Sequence, residues 1–323
     1  MRHPVMVGLT SAVAGVLLAA GTAAAAPFAY ITNQGSHDVS VIDLGLQRVV
    51  ATVPVGRSPA GVVASSRSGR VYISNPDSKT LSVIDMRSQT VVDTLPAGDA
   101  PVGIDATPDG NTVLVADWYR QRLLVVDAGP RHAATYEIPV GRTPAGVAAH
   151  PDGQTVFVAE RDDDRVAVVD LQGRAVRARI PVGHHPFALL FDEPRQRLYA
   201  LNVLSDDVTV IDTRTLAALA TVKVGKAPYG AALADGGRLL YVTNQHGDSV
   251  SVVDAEDWRV VRTLTGFGYP EGIAAIGDRV YVVNWMDDCV SVLDAGSGRV
   301  LARIATGSNS RGFGAFIGAP PDL

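Results

Sequence analysis

Seven times in this chain a strand-like run closes on two hydrophobic residues and an aspartate. The closures are Val41-Ile42-Asp43, Val83-Ile84-Asp85, Val125-Val126-Asp127, Val168-Val169-Asp170, Val210-Ile211-Asp212, Val252-Val253-Asp254 and Val292-Leu293-Asp294. Successive aspartates are 42, 42, 43, 42, 42 and 40 residues apart. A period near 40 residues with several short β-runs per unit is the signature of a propeller blade. One blade cannot bury its own faces, so the units must stack on one another. The expected fold is therefore all-β, a seven-bladed β-propeller with four-stranded blades. Such a platform hosts many activities, and function has to be argued from its loops.

Composition sets the surroundings. Residues 1–25 read as a secretory leader: Arg2 is a weak basic start, Val5 to Ala20 an apolar core, and Ala23-Ala24-Ala25 a small-residue cleavage site. A retained N-terminal anchor is the competing reading. The alanine run before Pro27, and the repeat starting at Phe28, favour cleavage. The rest, 26–323, is expected to be one propeller domain in the periplasm or outside the cell. The formal charge of −5 becomes −6 once Arg2 is removed. The single cysteine, Cys289, has no partner within the chain, so a disulfide, a Cys-based zinc knuckle and a c-type haem attachment are all excluded. Nothing after the leader is long and apolar enough to read as a membrane-spanning helix.

One repeat, 59–101, shows the expected construction. Gly61 to Ser65 is small and apolar, suited to the crowded strand around an axis. Arg70 to Ser74 alternates as the second strand, Asn75 to Lys79 is a loop, Leu81 to Asp85 the third strand and Thr90 to Leu95 the outer one. The first repeat, from Phe28, lacks an inner strand, whereas the last is followed by one with nothing after it, 311–317. The C-terminus is therefore expected to supply the inner strand of the first blade and close the ring.

Four repeats carry Tyr30-Ile-Thr-Asn33, Tyr72-Ile-Ser-Asn75, Tyr241-Val-Thr-Asn244 and Tyr281-Val-Val-Asn284, each with a Val-Ser-Val-Ile-Asp-type strand and a Gly-x-x-Pro-x-Gly approach. In this the mature chain resembles the YVTN family of bacterial β-propellers. The resemblance implies the fold and an exported setting. Relatives of this architecture include cell-surface repeat proteins, haem d1 and amine-oxidising propellers and lactonase-like propellers, so it implies little about activity.

An internal repeat is its own control: what recurs is framework, and what departs on a shared face is a candidate for function. The seven aspartates and the recurring asparagines then read as turn residues, and the Pro-Asp-Gly turns at Pro108 and Pro151 as bottom-face connections. The top face holds the departures. At the Asn position stand Asp117 and Glu160. In the next position Trp118 and Trp285 occupy one loop slot in blades three and seven, followed by Tyr119 and Met286. The loops entering the inner strands carry Arg57, Asp99, Arg142, His184 and Lys226 in one slot, with His185 beside His184. Nearest the axis stand Ala60, Val102, Ala145, Phe187, Tyr229, Glu271 and Arg311, a one-sided funnel expected to draw negative charge. His37, His184, His185 and His246 share this face, but spacing alone does not bring them onto one metal. His132 and His150 fall outside the set.

Catalytic signatures are missing. There is no His-Glu-x-x-His, Gly-x-Ser-x-Gly or phosphate-loop lysine motif. Gly266 to Gly272 has the wrong spacing for a dinucleotide fingerprint, and Asp162-Asp163-Asp164 lacks calcium-loop spacing and reads as a solvated tip. No cofactor, metal or catalytic residue is assigned. The leading expectation is a non-catalytic, exported, monomeric binding or scaffold propeller that holds a partner protein or a small anionic ligand on its top face. Its candidate contacts are Trp118, Trp285, Tyr229, Glu271, Arg311, His184, His185, Phe187, Arg57, Arg142 and Lys226. Two alternatives stand beside it. One is an oxidoreductase-accessory or lactonase-like enzyme using the funnel of Tyr229, Glu271, His184 and Arg311. The other is single-stranded nucleic-acid binding through basic slots interleaved with Trp118, Tyr119 and Trp285, against which the acidic charge and export both argue.

Overall fold

The computed structural model describes residues 27–129 and 135–321; the leader and His132 lie outside them. Within this span the chain forms seven antiparallel sheets around one axis. The second blade matches the expected template closely, with strands Val62–Ser65, Arg70–Asn75, Thr80–Asp85 and Thr90–Pro96. Inner strands enter from the top face and leave at the bottom. Second and third strands are buried on both faces, while outer strands alternate between exposed and half-buried residues. The core is correspondingly divided into apolar clusters between neighbouring blades. Leu114, Val125, Val158 and Val169, for example, pack blade three on blade four.

Recurring residues are framework, and the structure shows how. Each closing aspartate accepts backbone N–H bonds from the turn it begins: Asp43 from Gly45 and Leu46 at 2.9 and 2.8 Å, Asp254 from Glu256 and Asp257 at 2.9 and 3.0 Å. These donors hold Asp85, Asp212 and Asp254 below the usual carboxylate range. The Tyr-x-Thr-Asn motif joins blades. Tyr72 and Tyr241 donate from their hydroxyls to Gly110 and Ala295 at the bottom of the next blade, at 2.8 and 2.7 Å. Thr32, Ser74 and Thr243 donate to the inner-strand carbonyls of Ala60, Val102 and Glu271 in the next blade, at 3.0, 3.0 and 2.7 Å. The asparagines differ from the sequence reading: they are buried cross-links to the third strand, not turn residues. Asn33, Asn75, Asn202, Asn244 and Asn284 donate to Ser40, Ser82, Thr209, Ser251 and Ser291.

Closure comes from the C-terminus, with one refinement. The segment 311–317 is not a continuous strand. Ser310–Arg311 and Ile317–Gly318 pair with the strand Phe28–Asn33 of the first blade. Between them the chain leans the other way, and the Phe313 and Ala315 carbonyls accept N–H bonds from Val62 and Ala64 of blade two, at 2.9 and 2.7 Å. The clasp thus stitches two blades together. Beyond it the tail leaves the sheet and lies over blade two: the Ala319 N–H donates to Ser66 at 3.0 Å, and Arg87 donates to the Pro321 carbonyl.

Candidate functional site

Top-face loops follow one pattern. The last residue before the third strand takes a left-handed backbone in all of His37, Asp164, Asp206, Asp248 and Asp288. Each then accepts the N–H of a left-handed residue in the loop that enters the next blade. The pairs are Ser58 on His37 Nδ1, His185 on Asp164, Ala227 on Asp206, Tyr269 on Asp248 and Asn309 on Asp288, at 2.6–3.1 Å. His37 therefore does the work of an aspartate. The top-face histidines do not converge: His184 Nδ1 faces Asp164 at 2.8 Å, His246 Nε2 faces the Tyr269 hydroxyl at 3.1 Å, and His185 Nε2 lies 4.0 Å from Asp162. Among the described residues no group of three or more His, Cys, Asp or Glu side chains is placed to hold a metal.

The departures at the Asn position also turn out to be framework. Where Asn gives way to Asp117 and Glu160, the hydroxyl partner in the third strand is absent (Leu124, Ala167), and an arginine opens that strand instead. Asp117 pairs with Arg122 at 2.9 Å and accepts the Asp99 and Ala100 N–H groups. Glu160 accepts from Gly141 at 2.6 Å and pairs with Arg165 and Arg179. A neutral amide–hydroxyl pair has been exchanged for a buried acid–arginine pair. The acidic run after Glu160 is likewise no free tip. Asp163 binds Arg142 and Arg165, Asp162 accepts from Thr143 and Arg161, and Asp164 serves His184 and His185.

Of the residues singled out from sequence, the axial set is brought together. Arg311 Nε donates to Glu271 at 2.6 Å, its Nη2 donates to the Tyr229 hydroxyl, and Gln245 donates to the second Glu271 oxygen at 2.8 Å. Burial pushes the Glu271 carboxyl up, against the pull of Arg311 and Gln245. For Arg311 burial opposes the charge, but Tyr229 and Glu271 outweigh it and hold the guanidinium charged. Below this network Phe187, Tyr229 and Phe313 form an aromatic cluster with centroids 4.6–5.7 Å apart. The expected funnel is thus stoppered by buried rings at its centre. Trp118 stands edge-on to Phe187 at 6.2 Å under the Arg161 guanidinium. Across the ring Trp285 packs on Tyr269 at 5.5 Å and donates to Gln34 of the next blade at 3.4 Å.

The basic slots stay outside this centre. Arg57 donates to the Asp77 carbonyl at 3.0 Å, Arg142 pairs with Asp163 at 2.7 Å, and His184 and Lys226 are exposed at the rim. His184 therefore does not join Tyr229, Glu271 and Arg311. Two groups escaped the sequence reading. Gln245 shares its loop slot and residue type with Gln34, which meets Trp285, but is buried and turned to Glu271. Asp105 sits where the other inner strands carry Val63, Ala148, Leu190, Ala232, Ala274 and Gly314, a departure visible in the repeat alignment but on the lower half of the axis. Its two oxygens accept the Ala106 and Ala149 N–H groups, both at 2.8 Å. Asp105 is half-buried and lines the axial cavity, and desolvation pushes its carboxyl up to about 6.

Residues 63–153 match the model of the YNCE-like β-propeller family. No curated protein matches the chain. Similar solved structures include hydrazine synthase of Kuenenia stuttgartiensis, at 20% identity and a TM-score of 0.73, covering 83% of this chain and 92% of that one. The dihydro-heme d1 dehydrogenase NirN gives 17% and 0.69, covering 89% and 74%. A functionally unknown protein from Desulfotomaculum acetoxidans gives 15% and 0.76, covering 91% and 99%. At such identities the likeness is one of fold. The repeat motif, the seven-bladed ring and the family match together fit a β-propeller repeat protein of the YVTN type.

Proposed function

We propose that this protein is an exported, non-catalytic binding propeller whose top face holds a partner protein. The carrying observation is a loop position shared by blades three, five and seven. There Tyr119, Leu204 and Met286 are 75%, 62% and 62% exposed. They follow Trp118, Val203 and Trp285, which are half-buried and pack on the body. Large apolar side chains held out on ordered loops mark interaction surfaces, and Tyr and Met are enriched there. A protein fits this face better than a small anion. The axis is stoppered, Arg311 is spent on Glu271, and Arg57 and Arg142 are tied to their own loops.

The test is capture from an exported fraction by wild type, by a Tyr119→Ser/Leu204→Ser/Met286→Ser variant and by a bottom-face control, Leu46→Ser, also exposed. A partner retained by wild type and control but lost by the triple variant supports the reading. An identical set for all three, or none, overturns it. The closed ring leaves only outer strand edges, interspersed with charge, so we expect a single-chain mass in sedimentation at micromolar concentration.

A further inference from the structure

The lower axis is a cavity of about 500 Å³, a size typical of small-ligand sites. Its wall comes from the inner strands of blades three to seven and the C-terminal clasp, and its ceiling is Tyr229 and Phe313. The room exists because the inner strands carry small residues, among them Gly103, Gly146, Ala231, Ala274 and Gly314. Three charged residues line it, all acidic: Asp105, Glu193 and Glu271. Glu271 has Arg311 as counter-ion on the side away from the cavity. Asp105 forms no ion pair among the described residues; its oxygens accept backbone N–H groups only. Leu189, Leu190, Phe191 and Leu233 supply apolar surface and are partly exposed to the cavity.

We propose that this axial cavity binds a small organic cation, an ammonium group carrying an apolar body. The ammonium sits at Asp105, and the apolar part lies against the leucines and Phe191. A partly desolvated acid in a cavity with no base on the wall lowers the energy of a cation there and raises that of an anion. Desolvation pushes the Asp105 carboxyl up, and the Ala149 and Ala106 N–H groups only partly offset it. The site is separate from the top face and does not depend on what binds there.

Benzylammonium is a suitable probe, with benzyl alcohol and benzoate as neutral and anionic isosteres, titrated calorimetrically into the full-length protein near neutral pH. Saturable one-to-one binding of benzylammonium is expected, at least about tenfold tighter than either isostere. Asp105→Asn should weaken it by about tenfold or more, while the top-face triple variant leaves it unchanged. Ala231→Leu, which narrows the lumen and leaves the Asp105 side chain in place, should also weaken binding by about tenfold or more and serves if Asp105→Asn does not fold. No saturable binding, equal binding of benzyl alcohol, or full binding by Ala231→Leu would each overturn the proposal.

Discussion

Single polar groups join one blade to the next at fixed positions. The Thr243 hydroxyl is the clearest, since it donates to the Glu271 carbonyl at 2.7 Å and accepts the Gly230 N–H at 2.8 Å. Thr243→Val keeps the shape but orphans both backbone groups. It should cost about 1–3 kcal/mol, seen as a lowered denaturant midpoint with unchanged slope; an unchanged midpoint would contradict this role. Asp105 makes a different residue-scale prediction. Its folded value near 6 lies above the unfolded one of about 4, so the folded state binds the proton more tightly. Ionisation therefore costs stability that sets in as pH rises through this window and is complete above it, at most about 3 kcal/mol. Asp105→Asn does not titrate. The melting temperature of wild type relative to this variant should fall between pH 4 and pH 7; a flat difference would refute the assignment.

At the scale of elements, the inner strands are limited by how closely they approach one another. A Cβ on Gly103 would lie 2.0 Å from the Ala145 carbonyl oxygen of the next blade, and one on Gly61 or Gly146 would meet the equivalent carbonyl at 2.4 Å. Both partners are backbone, so neither can turn aside. Gly103→Ala is expected to cost at least about 1–3 kcal/mol through overpacking. Blade five carries Ala188 at this position, so the reverse change, Ala188→Gly, should be mild by comparison. Equal melting temperatures for Gly103→Ala and wild type would show that the strands can spread. The top loops are elements of the same kind: left-handed residues and N–H acceptors repeat from blade to blade, and only the tips vary.

For the molecule as a whole, closure is the decisive interaction. A chain ending at Ser310 loses Phe313 and Phe316, both buried, and partly buried Ile317. It also leaves the Tyr30, Val62 and Ala64 N–H groups without partners. Each large apolar side chain is worth about 1.5–3 kcal/mol, so the sum rivals the whole stability of a typical domain, about 5–15 kcal/mol. Such a chain should be insoluble or melt far below wild type; survival within a few degrees would defeat the clasp. Removing only 319–323 cuts exposed contacts to Ser66 and Arg87 and should cost about 1 kcal/mol.

The sequence by itself determined the number of blades, the strand order within each and the closing segment, because a blade's pattern is local and repeats every 40 or so residues. It also separated Trp118, Tyr119, Trp285 and Met286 from the framework, since repetition exposes what departs from it. Partners contributed by distant residues were decided only in three dimensions. Asp117 and Glu160 looked exceptional until Arg122 and Arg165 were seen beside them, and the asparagines looked like turn residues until their amides met the third-strand hydroxyls. The one-sided funnel became an aromatic stopper because Phe313, far away in sequence, packs against Phe187 and Tyr229. Asp105 drew no attention in a row of small residues. Its meaning comes from a cavity whose wall, contributed by the inner strands of blades three to seven and the clasp, exists only once the ring has closed.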